Sequence, residues 1–163
     1  MNQRLLASLT PTEIAALLPF TPTLDGLLAW AEAEHEKQLK GLPSEWDQGH
    51  WAISRPDGTP IAASCATACC LAGKVVASQG GRFLLESDYG DYQIATTAEL
   101  PSGRVVDVED FARDHLGLTY EQAAALFDGD NTITDVRRII GALLEDPDAE
   151  VEGSSDYDED EDY

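Results

Sequence analysis

Basic residues are scarce in this chain. Ten Lys and Arg stand against 31 Asp and Glu, a formal net charge of −21 over 163 residues. Nucleic-acid phosphates and anionic membrane surfaces repel such a molecule, so direct binding to either is not expected. Long hydrophobic runs are missing as well. None approaches the ~20 apolar residues that span a bilayer. Residues 1–18 hold one Arg and a short apolar stretch broken by Thr10-Pro11-Thr12-Glu13. That is a poor secretory signal, and a cytoplasmic location is expected. Cysteine is sparse and clustered: Cys65, Cys69 and Cys70. An odd, bunched set is not a secreted disulfide framework. No GxGxxG, P-loop, HExxH or GxSxG motif occurs, and no cofactor is expected.

What is present suits a globular domain. The hydrophobic fraction is 43%, an ordinary level, and a chain of this length builds a core without metal or disulfides. Acid is unevenly spread. From Glu145 to Tyr163 there are 11 acids and no Lys or Arg, which leaves 20 acids against 10 bases in residues 1–144. The expectation is a single domain over 1–144 and a disordered acidic tail over 145–163, because the tail offers little to bury. The acidity is a solubility device or a surface for a basic protein partner, and composition does not choose between the two.

Local signals place the elements. Thr10, Pro11 and Glu13 open a helix over 11–18. Leu24, Leu27, Leu28, Ala31, His35 and Leu39 recur at helical spacing, predicting a helix over 24–40 stopped by Gly41 and Pro43. His35 reads as a residue at the edge of the core. Residues 51–54 and 60–63 read as two short strands around the Arg55-Pro56-Asp57-Gly58-Thr59 turn. Ser64 is expected to cap a buried central helix over 65–78, ended by Gly80-Gly81. Residues 82–86 and 92–97 read as strands, with 104–106 a shorter third. Asp107 caps a helix to His115, stopped by Gly117. Thr119 with Gln122, and Thr132 with Asp135, are capping boxes that open helices over 120–127 and 133–144. The sum is an α+β fold: a helical majority around a small antiparallel sheet.

Three segments are candidates for chemistry or binding. In a helix from residue 65, Cys65 and Cys69 share a face, and Cys65 sits in the first turn, where the helix dipole lowers a thiol pKa. A cysteine-dependent enzyme would then pair Cys65 with His50 or His115 as base. The small residues around the cysteines equally suit close packing in a core. A zinc site would need a second ligand group, which is missing, so no metal is expected. Trp46, Gln48 and Trp51 either form an exposed patch for a partner or pin a loop to the core. Asp128-x-Asp130-x-Thr132 opens like a calcium loop, but Ile133 and Ile139 stand where that loop needs Gly and Glu. Gly129 as a helix C-cap, followed by Asn131 and Thr132, fits better.

Trp46-x-Gln48-x-x-Trp51, Cys65-x-Thr67-x-x-Cys70-x-Ala72-Gly73, Leu116-Gly117-Leu118, Ala125-Leu126-Phe127, Asn131 and Val136-x-x-Ile139 follow one another in that order. This pattern resembles a group of small uncharacterised proteins of actinobacteria and their phages, over roughly residues 25–144. The group's usual Cys-Gly-Thr reads Cys65-Ala66-Thr67 here. The resemblance implies a bacterial or phage setting and brings no known activity or catalytic residue. The functional expectation is a non-enzymatic acidic interaction protein. It would be a phage- or prophage-type accessory factor that binds a bacterial protein, with carboxylates standing where nucleic-acid phosphates would sit.

Overall fold

Hydrogen-bonding side chains at the helix ends set most helix boundaries. The computed structural model describes residues 20–42, 44–46, 52–54, 67–68, 70–84, 87–89 and 92–154. The helix expected over 11–18 and the strand expected over 60–63 lie outside them. Helix α1 (Leu24–Leu39) starts at Thr23, whose hydroxyl accepts from the Gly26 N–H at 3.1 Å. Glycine is required at 26, since a Cβ there would lie 1.8 Å from the Thr21 carbonyl oxygen. The helix ends as expected at Gly41, with φ of 69°. The Leu42 N–H reaches back to the Lys37 carbonyl at 2.8 Å, which satisfies an end carbonyl.

The later helices also follow their caps. Helix α3 (Val108–Leu116) is capped by Asp107, α4 (Tyr120–Leu126) by the Thr119–Gln122 box, and α5 (Ile133–Glu145) by the Thr132–Asp135 box. Between α4 and α5 the expected Gly129 cap is replaced. The C-cap is Phe127, and the Asp128 carboxylate accepts from the Asp130 N–H at 3.0 Å to close the turn.

The cysteine segment departs from expectation. Helix α2 spans only Leu71–Ser78, with Cys70 as its N-cap. The central helix expected from residue 65 is therefore shorter. Thr67–Ala68 is instead a strand, β2, pairing antiparallel with β1 (Ala52–Ser54). Small residues such as Ala and Thr follow whichever backbone partner is offered, and here a neighbouring strand supplies it. Next come β3 (Arg82–Leu84), β4 (Ser87–Tyr89), β5 (Tyr92–Ala95), β6 (Thr97–Glu99) and β7 (Val105–Asp107). β3–β6 and β4–β5 keep one register, Arg82 opposite Glu99 and Tyr89 opposite Tyr92. The strands form two antiparallel sheets, ordered β2-β1-β5-β4 and β3-β6-β7.

The fold is α+β. Leu27 and Ala31 of α1, Leu71, Val75 and Val76 of α2, Ala98 of β6, Val108 and Ala112 of α3, Leu126 of α4, and Val136, Ile139 and Ile140 of α5 form one buried cluster. Each large member contributes about 1.5–3 kcal/mol relative to exposure. The ion pair Arg137–Glu32, at 2.7 Å, joins α5 to α1 across their exposed edges. Among the described residues no helix is long and apolar enough to cross a membrane.

The chain beyond α5 corrects the boundary drawn at Glu145. Residues 146–154 lie along the α4–α5 hairpin. Gln122 Nε2 donates to the carbonyls of Pro147 and Ala149 at 2.9 and 3.1 Å. Arg138 donates to the Glu152 and Gly153 carbonyls at 3.0 and 3.3 Å. The Ser154 N–H donates to Asn131 Oδ1 at 2.8 Å, while Ala149 and Val151 pack on the core. The domain therefore runs to at least Ser154. The alternation of acids with Ala149 and Val151 is the reason: Asp148, Glu150 and Glu152 face solvent while the two apolar side chains reach the body. Residues 155–163 lie outside the described residues.

Candidate functional site

Strand β7 ends at Asp107, and α3 begins with the next residue. The Asp107 carboxylate accepts from the Asp110 N–H at 3.0 Å, which fixes the angle between strand and helix. The two elements flank a groove of about 350 Å³ lined by residues 104–107 and by Asp110, Phe111, Asp114 and His115. Those four helical residues share a face because they recur at helical spacing. The side chains of Asp110 and Asp114 are 62% and 74% exposed, and Arg113 bridges them at 2.9 and 3.2 Å. Such exposed pairs hold little energy, so both carboxylates stay available to a partner. Glu109, on the next face, has its carboxyl pushed above the ordinary range by partial burial and by the Asp107 and Asp110 charges.

A second acidic surface follows α5. Asp146, Asp148, Glu150 and Glu152 are all exposed, on a backbone tied down by Gln122, Arg138 and Asn131. Asn131 is 5% exposed. Its Nδ2 donates to the Ala125 and Leu126 carbonyls at 2.8 and 3.1 Å, while its oxygen holds Ser154. One amide thus closes the end of α4 and anchors the acidic segment.

The expected sites fare differently. Trp46 is not an exposed anchor. It is 8% exposed and belongs to the core, edge-on to the His35 ring at 6.4 Å. Its loop is held by Glu34, a carboxylate only 3% exposed. Glu34 accepts from the Ser44 hydroxyl at 3.1 Å and the Glu45 N–H at 2.8 Å and pairs with Lys37. Gln38 Nε2 donates to the Trp46 carbonyl at 3.1 Å. Gln48 and Trp51 lie outside the described residues, as do Cys65, Cys69 and His50. His115 faces the groove, its ring stacked on Phe111 at 5.9 Å. Among the described residues the groove lining around it contains no thiol or hydroxyl. Cys70 is fully buried. Helix α2 begins at Leu71 with Cys70 as its N-cap, and the reading of Cys65 as a nucleophile lies outside the described residues. Among the described residues, no group of three or more His, Cys, Asp and Glu is placed to hold a metal ion.

The sequence carries no sign of the roles of Glu34 and Arg138, and it shows Gln122 and Asn131 only as local helix-end residues, not as anchors of the segment after α5. Glu34 and Gln122 follow helical periodicity without being apolar, and only an aligned loop reveals their use. Asn131 reads locally as part of a helix cap, and its links to Ala125 and Ser154 depend on tertiary placement. No family model, no curated protein and no solved structure matches this chain.

Proposed function

We propose that the chain is a non-enzymatic acidic interaction protein that binds a basic, nucleic-acid-binding bacterial protein. It would act as a phage- or prophage-type accessory factor in the cytoplasm, in keeping with the resemblance in its sequence pattern. Its carboxylates take the places that nucleic-acid phosphates occupy on such a partner. The observation that carries the reading is the anchored acidic segment. Asp146, Asp148, Glu150 and Glu152 are exposed on a backbone that two buried side chains, Gln122 and Asn131, and the exposed Arg138 hold in place. A tail that only confers solubility gains nothing from such anchoring, whereas a recognition surface gains pre-organisation. The net charge of −21 adds long-range attraction to a basic partner.

The test is capture from a bacterial lysate on the immobilised chain. A parallel chain carries Asp146→Asn, Asp148→Asn, Glu150→Gln and Glu152→Gln, which keep every backbone anchor. The expected result is retention of basic nucleic-acid-binding proteins at low salt. Duplex DNA or ~1 M salt, where the Debye length shrinks to about 3 Å, should release them, and the neutralised chain should retain much less. Retention indifferent to DNA, salt and neutralisation would leave the acidity as a solubility device.

A further inference from the structure

We propose that the groove between β7 and α3 takes an extended basic segment of the partner as an added β-strand on the open edge of β7; this rests on the reading of the partner as basic. β7 is the outer strand of the β3-β6-β7 sheet among the described residues. Its hydrogen-bonding phase is set by two flanking bonds, Leu100 N–H to the Arg104 carbonyl at 2.9 Å and Val108 N–H to the Thr96 carbonyl at 3.0 Å. In an antiparallel pair, bonding to the neighbour alternates along the strand. Arg104, Val106 and Val108 therefore turn their backbone groups toward β6. Val105 turns its N–H and C=O to the open side, and Asp107 turns its N–H the same way. Val105 is 54% exposed. Open edges of this kind are where extended peptides add to a sheet, with an adjacent groove selecting their side chains.

The occupant follows from charge. Three carboxylates, Asp107, Asp110 and Asp114, line the groove against one permanent cation, Arg104, and Phe111 offers its ring between them. A peptide alternating basic and apolar residues would present one set to the carboxylates and the other to Phe111 and Val105. A second copy of the chain is disfavoured by −21 on each molecule. Residues of this chain outside the described ones offer only Arg4 and Arg55 as bases, which leaves a partner.

The test uses the full chain, ¹⁵N-labelled, with an alternating lysine–valine hexapeptide. Two further peptides carry N-methyl groups on the odd or on the even backbone nitrogens, and a glutamate–valine peptide serves as control. Expected are shifts at the amides of 104–108 and 110–115 and slowed exchange of the Val105 amide. One N-methylated peptide, and only one, should bind at least about tenfold more weakly. The Val105→Pro variant should lose affinity similarly. Its ring removes only the outward donor, which edge strands tolerate; if that variant does not fold, the methylated peptides decide. Equal binding of both methylated peptides would overturn strand addition while leaving charge-driven docking intact. Binding of the glutamate–valine peptide as tight as the lysine–valine peptide would overturn the choice of a basic occupant. Absence of lysine–valine binding alongside DNA-sensitive lysate capture would overturn this inference alone. Failure of both experiments would overturn the proposed function as well.

Discussion

Replacing Asn131 by alanine probes the junction on which both the α4–α5 turn and the acidic segment depend. The side chain makes three hydrogen bonds, to the Ala125 and Leu126 carbonyls and from the Ser154 N–H, at 5% exposure. Alanine removes all three and leaves two carbonyls and one N–H to find water. A buried polar group deprived of its partner costs about 1–3 kcal/mol, less where water can enter. The Ser154 side of the junction opens to solvent readily and the α4 side less so. The expected loss is roughly 2–4 kcal/mol, or a fall in Tm of roughly 5–12 °C for a domain of this size. Urea denaturation should show a lower midpoint at unchanged slope. Asn131→Asp should cost at least as much, since a carboxylate oxygen would face the Ala125 and Leu126 carbonyls. In a chain ending at Glu145 the alanine substitution should cost about 1 kcal/mol less, because the Ser154 partner is already gone. A loss below about 0.5 kcal/mol in the full chain, the range of an ordinary surface substitution, would refute this account of the junction.

Other expectations are simpler to check. Ending the chain after Glu145 should lower Tm by several degrees, since Gln122 and Arg138 lose carbonyl partners worth about 1 kcal/mol each; unchanged calorimetric melting would show that the packed segment contributes nothing. Glu109 has a raised pKa in the fold, so its charged form works against folding. Glu109→Gln should therefore stabilise at neutral pH. The gain should vanish as pH falls below the ordinary glutamate value of 4.5, where the carboxyl is protonated in folded and unfolded chains alike; a gain independent of pH would sink this reasoning. Trp46→Ala should cost about 3–5 kcal/mol by opening a cavity; a variant of native stability with faster partner dissociation would reinstate Trp46 as a surface anchor.

Capping was legible in the sequence because it acts over three or four residues. Asp107, Thr119 with Gln122, and Thr132 with Asp135 each satisfy amide groups of their own helix, so local chemistry suffices to start α3, α4 and α5. The apolar spacing of Leu27 and Ala31, and of Val136, Ile139 and Ile140, likewise determined which faces enter the core. Periodicity misjudged Leu39, on the same apparent face but 75% exposed, because the element covering α1 does not extend along its whole length. The small residues before Leu71 have no strong conformational preference of their own. Pairing with Ile53–Ser54 took Thr67 and Ala68 out of the helix that their pattern suggested. Long-range fit also decided the roles of the buried polar groups. Glu34, Gln122 and Asn131 are tolerated inside because loops distant in sequence bring hydrogen-bonding partners to them. The open edge of β7 has the same origin: a strand's place in its sheet depends on which neighbours the rest of the chain delivers, and here β6 covers only one side of it.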